Sequence, residues 1–209
     1  MRVKIKFCGL TNLDDSKAAV EAGADALGFV FYPPSPRFVA PADAAGIIAQ
    51  LPPFVSTVGL FVDASEETLR EAVAVTGIDV IQYHGAHVPT QPLIAGRPWI
   101  RALQVRSSAD IEAVRAEQTS AKAILLDAWD EKLHGGTGRV FDWKIVPRDL
   151  PKPLILAGGL TPENIASAVR MTTPWAVDVS GGIELSKGRK DIAKMHRFVE
   201  EVRKVERES

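Results

Sequence analysis

Strand-like and helix-like segments alternate from end to end, eight of each, and paired glycines follow the seventh and eighth strands. Together these observations predict an α/β protein, a single-domain (β/α)8 TIM barrel over residues 1–209. Alternation alone also fits an open doubly wound sheet. The count of eight and the late glycines favour closure, because a barrel commonly builds its phosphate site from the loops after strands seven and eight.

Strand 1, about Val3 to Cys8, puts Ile5 and Phe7 on one face and Lys4, Lys6 and Cys8 on the other, then stops at Gly9. Asn12 caps helix 1, whose apolar Leu13, Ala18, Ala19 and Ala22 end at Gly23. Strand 2 is Ala26 to Phe31. The Tyr32-Pro33-Pro34-Ser35-Pro36-Arg37 segment that follows cannot be helical, since its prolines remove donors and push their predecessors toward extended shapes. Helix 2 runs from Pro41 to about Leu51, strand 3 from Val55 to Val62, and helix 3 from Ser65, with Glu66 and Glu67 at the positive end of its dipole. Strand 4, Asp79 to His84, halts at Gly85, and helix 4 falls around Leu93. Strand 5 is about Trp99 to Leu103, helix 5 about Ser108 to Gln118, and strand 6 Ala123 to Asp127. A long loop ends in Gly135-Gly136-Thr137-Gly138, before a brief helix 6 around Phe141 to Val146. Strand 7, Leu154 to Ala157, runs into Gly158-Gly159, and Pro162 occupies the first position of helix 7. Strand 8, Ala176 to Val179, runs into Ser180-Gly181-Gly182. An amphipathic tail helix from Asp191 to Arg207 offers Ile192, Met195, Phe198, Val199 and Val202 to the barrel.

Composition removes several function classes. Twenty-five Lys and Arg against 26 Asp and Glu give a formal net charge of −1, without the basic surplus that a nucleic-acid binder uses. A single cysteine forms no internal disulfide and fits a reducing compartment. The amino terminus alternates charged and apolar residues, unlike a signal peptide, and no run approaches the ~18 apolar residues of a membrane span. A cytoplasmic location is expected. His84, His87, His134 and His196 lie in different elements without zinc spacing, so no metal is expected.

The candidate chemistry sits at strand ends. Glycine lets backbone N–H groups converge on an anion, so Gly158-Gly159, Ser180-Gly181-Gly182 and Gly135-Gly136-Thr137-Gly138 read as a phosphomonoester cradle, or singly as ordinary turn glycines. The segment after Gly182 can start a helical turn aimed at that anion. No GxGxxG follows strand 1 to suggest a dinucleotide. Asp127 shares the inward parity of Leu125, and a shielded carboxyl has a raised pKa suited to donating a proton; as a strand-end Asp it is equally a turn residue. Asp178, inward on strand 8, either pairs with Lys6 or binds a substrate hydroxyl. Cys8 is either an inert buried thiol or, beside Lys6, one whose thiolate accepts a proton. His84 lines the pocket or is a structural histidine. Arg37, after its stiff loop, suits bidentate capture of a carboxylate, with a solvated surface arginine as the alternative.

Nearly the whole chain resembles the phosphoribosylanthranilate isomerase family, a group of small (β/α)8 barrels. The likeness runs through Lys6-Phe7-Cys8-Gly9-Leu10-Thr11, Ser35-Pro36-Arg37, Gln82-Tyr83-His84-Gly85, Leu126-Asp127 with Gly135-Gly136-Thr137-Gly138, Phe141-Asp142-Trp143, Leu156-Ala157-Gly158-Gly159-Leu160 with Pro162-Glu163-Asn164, and Val177-Asp178-Val179-Ser180. It implies a cofactor-free Amadori rearrangement in tryptophan biosynthesis, with Asp127 as general acid, Cys8 as general base, Arg37 on the anthranilate carboxylate and the glycine loops on the phosphate. The family occurs as monomers and homodimers, and the sequence does not choose between them. Tyr83 and Gly181 stand where the family usually carries Leu and a second Ser, and Ser186 replaces the usual Pro ahead of Gly188-Arg189-Lys190-Asp191. Other phosphate-binding barrels need a lysine–carboxylate set or metal-binding histidines, whereas this chain offers Cys and Asp. A barrel that binds without turnover would leave Cys8, Asp127 and Arg37 without chemical use.

Overall fold

The structure, a computed structural model, describes residues 2–85, 91, 93–105, 107, 109–110, 112–113, 119–128, 143–147 and 149–208. Eight strands, β1 (Lys4–Cys8), β2 (Ala26–Val30), β3 (Ser56–Val62), β4 (Val80–His84), β5 (Trp99–Val105), β6 (Ala123–Ala128), β7 (Leu154–Ala157) and β8 (Ala176–Val179), form one closed parallel barrel in sequence order. Closure is made by β1 and β8, paired from Lys4↔Ala176 to Phe7↔Val179.

Two apolar sets hold the barrel. Because successive strand residues face opposite ways, one parity packs outward under the helices and includes Ile5, Phe7, Leu27, Ile81, Leu156 and Val177. The other fills the barrel interior with Val58, Ile100, Ala102, Ala123, Leu125, Ile155, Ala157 and Ala176. Register partners share parity, so Asp127 opposite Ala157 and Asp178 opposite Lys6 lie on the inward set, as the sequence predicts.

The helices begin and end on local signals. Asn12 Oδ1 accepts from the Asp15 N–H at the start of α1 (Leu13–Ala22), and Gly23 closes it in the left-handed conformation. After α2 (Pro41–Ile48), α3 (Glu66–Thr76) repeats the device with Ser65 and Gly77. α4 spans Ile165–Thr172. In α5 (Ile192–Glu208), Met195, Phe198 and Val202 are fully buried and Val205 joins them, whereas Ile192 is exposed. Phe198 meets Phe7 edge-on, with ring centroids 6.0 Å apart. Phe198→Ala is expected to cost about 3–5 kcal/mol through the cavity it leaves, read as a lower urea midpoint at unchanged slope. No helix among the described residues is long and apolar enough to cross a membrane.

Three expected helices differ. Around Leu93 the chain makes an antiparallel bridge, Ile94↔Arg97, over a turn in which Ala95 and Gly96 have positive φ, so the segment doubles back and does not coil. Pro162 lies in a turn before α4 and not at its first position, because Asn164 accepts from the Thr161 N–H and donates to the Gly159 carbonyl, holding residues 161–164 out of the helix. Helix 6 is a single 3-10 turn, Trp143–Ile145; Phe141 and Asp142 lie outside the described residues. Of helix 5, residues 109–110 and 112–113 are helical and the remainder lies largely outside the description.

Candidate active site

Inward-facing polar side chains gather toward the carboxyl ends of the strands, above the apolar interior. Lys6, Cys8, Gln82 and Asp178 are buried, and His84 and Asp127 are partly so. A parallel barrel directs its chemistry to this end. Lys6 Nζ donates to Asp178 Oδ1 at 2.9 Å, the first of the two alternatives read for Asp178. Burial alone lowers the Lys6 pKa, but Asp178 and Cys8 more than offset it, and the ammonium stays charged. Lys4, expected beside it, instead approaches Asp25 at 3.5 Å with its side chain 41% exposed.

Gly28 explains how thiol and ammonium share one space. A Cβ built there would lie 2.9 Å from both Cys8 Sγ and Lys6 Nζ, so the bare backbone of β2 gives these two groups their room. Burial nonetheless pushes the Cys8 thiol above its ordinary range, with Lys6 the largest opposing influence. The sequence suggested that Lys6 favours the thiolate. It does, but desolvation is larger.

Asp127 behaves as its inward parity suggests. Burial, and then the Asp178 charge, raise its pKa to about 6, against a smaller opposing pull from Lys6. His84 moves the other way, to about 4, through burial and the nearby charges of Lys6 and Arg101. A neutral His84 accepts from Gln82 Nε2 at 2.9 Å, which assigns its remaining proton to Nδ1. The neutral ring suits a pocket wall better than a proton acceptor at neutral pH.

The phosphate-cradle residues come together in part. Gly158 and Gly159 have φ of 88° and 61° after β7. Gly182 lies so close to the Leu160 backbone that a Cβ would fall 1.8 Å from its carbonyl oxygen, which ties the β8 loop against the β7 loop. Gly181–Ile183 forms one 3-10 turn. The buried Ser180 hydroxyl has no hydrogen-bond partner among the described residues. Gly136 and Gly138, with Gly135, Thr137, His87 and His134, lie outside the described residues. No group of three His, Cys, Asp or Glu able to hold a metal occurs among the described residues.

Arg37 is set by the Pro-rich loop, where the Ser35 hydroxyl accepts from the Arg37 N–H. Its Nε and Nη2 each donate to Glu184 at 2.7 Å, so it already holds one carboxylate. Glu184 is the residue the sequence reading missed. Its signal was slight: one acidic residue two positions past a glycine pair, later buried.

Residues 5–201 match the family described as N-(5'phosphoribosyl)anthranilate (PRA) isomerase. A relative from Pseudomonas fluorescens strain Pf0-1, named N-(5'-phosphoribosyl)anthranilate isomerase, is 52% identical over 201 residues, covering 96% of this chain and 98% of its own. The crystal structure of phosphoribosyl anthranilate isomerase from Thermotoga maritima superposes with a TM-score of 0.86 at 38% identity, covering 97% and 99% of the two chains. A further crystal structure of phosphoribosyl anthranilate isomerase, in complex with reduced 1-(o-carboxyphenylamino)-1-deoxyribulose 5-phosphate, gives 0.82 at 36% identity over the same shares. The same chain length matched almost end to end, in sequence and in superposed structure, leaves one conclusion: the chain belongs to the N-(5'-phosphoribosyl)anthranilate isomerase family.

Proposed function

We propose that this chain, folded as one domain over residues 1–209, catalyses the Amadori rearrangement of N-(5'-phosphoribosyl)anthranilate to 1-(2-carboxyphenylamino)-1-deoxyribulose 5-phosphate, a step of tryptophan biosynthesis. Asp127 is the general acid and Cys8 the general base. The observation that carries this reading is their placement: a carboxyl of raised pKa on β6 and a thiol on β1 enter one closed barrel at the same end. Protonated Asp127 gives its proton to the furanose ring oxygen, the C1–O bond breaks, and the nitrogen lone pair forms the Schiff base. The Cys8 thiolate then takes the C2 proton, and the electron pair moves through C1 to nitrogen. The resulting enolamine gains a proton at C1 and loses one from the C2 hydroxyl, giving the ketone. Atoms and electrons balance without an oxidant, and the reaction is written with no cofactor.

Two anchors place the reacting carbon between acid and base. Gly158, Gly159, Ser180, Gly181 and Gly182 hold the phosphate, with the unpartnered Ser180 hydroxyl as a further donor, and Gly136 and Gly138 are assigned to it from sequence alone. Arg37 holds the anthranilate carboxylate, Asp178 keeps Lys6 charged beside the thiol, and neutral His84 lines the pocket. Arg37→Ala is expected to raise KM by roughly 10- to 100-fold with a smaller change in kcat, the loss of a charge-assisted pair. An unchanged KM would remove Arg37 from the site.

Substrate carrying 13C at C2 tests the reaction itself. With the protein present, the C2 resonance should move to the ketone region as the substrate disappears. Appearance of only free anthranilate and ribose 5-phosphate would refute the isomerase reading.

A further inference from the structure

Beneath Arg37 lies a second buried charge cluster that the proposed steps do not use. It belongs to a small hairpin after β8, made by β9 (Glu184–Ser186) and β10 (Arg189–Lys190). The Lys190 side chain is fully buried, and its ammonium donates to the Cys8 carbonyl at 2.7 Å, the Ser180 carbonyl at 3.1 Å and Glu184 Oε1 at 3.0 Å. Those are all the donors an ammonium has. Two of its acceptors are the ends of β1 and β8, just beyond the last paired residues, Phe7↔Val179. The lysine therefore joins the strand that carries the thiol to the loop that carries the phosphate cradle.

Glu184 extends the link to Arg37. Its Oε1 accepts from Arg37 Nε and Lys190 Nζ, and its Oε2 from Arg37 Nη2. Burial pushes the Glu184 pKa up, but its bonds to Arg37 and Lys190 together hold it below the usual range. With Nε and one hydrogen of Nη2 given to Glu184, the guanidinium keeps Nη1 and the other Nη2 hydrogen, a second fork for a second carboxylate. The hairpin is anchored in turn: Asp15 accepts from the Lys190 N–H, and Thr11 donates to the Gly188 carbonyl. A buried ion pair is a weak stabilising device, because desolvation offsets most of its attraction. What this one does is fix positions.

We propose that Glu184, itself held by Lys190, is a positioning residue that sets the spacing of the Arg37 fork from the Cys8 strand end and the Ser180 loop. The spacing selects a substrate with a carboxylate at one end and a phosphate at the other, and lays the carbon between them against the thiol. This inference rests on the reading of Arg37, Cys8 and Ser180 given above.

The test compares phosphoribosylanthranilate with N-(5'-phosphoribosyl)aniline, which lacks the carboxylate, in the parent, Glu184→Gln, Glu184→Asp, Arg37→Ala and the Arg37→Ala/Glu184→Gln double variant. Glu184→Gln keeps the shape but sets an amide against one guanidinium donor, and Glu184→Asp keeps the charge but withdraws it by one methylene. Both should raise KM for the carboxylate substrate roughly tenfold and shrink the preference over the aniline toward that of Arg37→Ala. The double variant should match Arg37→Ala within about twofold, because Glu184 acts through Arg37. A general loss of folding would weaken both substrates alike and leave their ratio at the parent value. An unchanged ratio in whichever Glu184 variant folds, or multiplicative effects in the double variant, would overturn the proposal. A parent that turns over neither substrate would overturn the isomerase reading itself, a distinguishable result.

Discussion

Asp127→Asn is expected to lower kcat by about 10²–10⁴-fold while KM stays within a few-fold, because an amide cannot give a proton to the ring oxygen. The same substitution should stabilise the protein, with a defined sign. The folded-state pKa of Asp127 is raised from 3.8 to about 6, so the stability that goes with its protonated form is present below the unfolded value and lost as pH rises through about 6. An Asn at this position does not ionise. The variant should gain roughly 1–3 kcal/mol over the parent at pH 8 and almost nothing at pH 3, read by urea unfolding at both values. A variant less stable than the parent at pH 8 would contradict the burial penalty on the Asp127 carboxylate and show that its charge makes a stabilising contact in the fold.

Cys8→Ser should be nearly as damaging, again about 10²–10⁴-fold in kcat, since a hydroxyl at that position is a far poorer proton acceptor than a thiolate. Together the two groups fix an unusual pH dependence. The reactive form needs Asp127 protonated and Cys8 ionised, although the thiol titrates above the carboxyl. Below about pH 6 Asp127 is already protonated and the thiolate fraction falls with pH, so kcat/KM, which reports the free enzyme, falls. Between about 6 and the raised thiol value the loss of protonated Asp127 cancels the gain of thiolate, and kcat/KM is flat. Above the thiol value it falls again. The lower limb thus sits at the pKa of the acid, which must be protonated to act. A limb near pH 4 would instead mark His84 as the base.

The strands were legible because each is a short apolar run with polar or glycine punctuation. Leu154–Ala157 and Ala176–Val179 fall where the sequence puts them, bounded by Pro153 and Gly158 and by Ser180. Parity then placed Lys6, Cys8, Asp127 and Asp178 on the barrel interior without any knowledge of contacts. The segment at Leu93 was misread because a few apolar residues do not distinguish a helical turn from a tight reversal, and the positive φ of Ala95 is not written in its side chain. Glu184 was invisible for a different reason. Its partner Arg37 is 147 positions away, and only barrel closure brings the loop after β2 to the hairpin after β8. The balance at Cys8 was equally hidden: sequence shows the neighbouring lysine, but burial, which outweighs it, belongs to the folded barrel.

The most direct test of the account follows the anthranilate fluorescence of freshly made phosphoribosylanthranilate, with the parent, Asp127→Asn and Cys8→Ser at equal concentration. The account predicts rapid loss of signal with the parent, beyond spontaneous hydrolysis, and near-background loss with both variants. Loss at the parent rate in either variant would contradict the assigned acid or base, and background loss in all three would contradict the isomerase function.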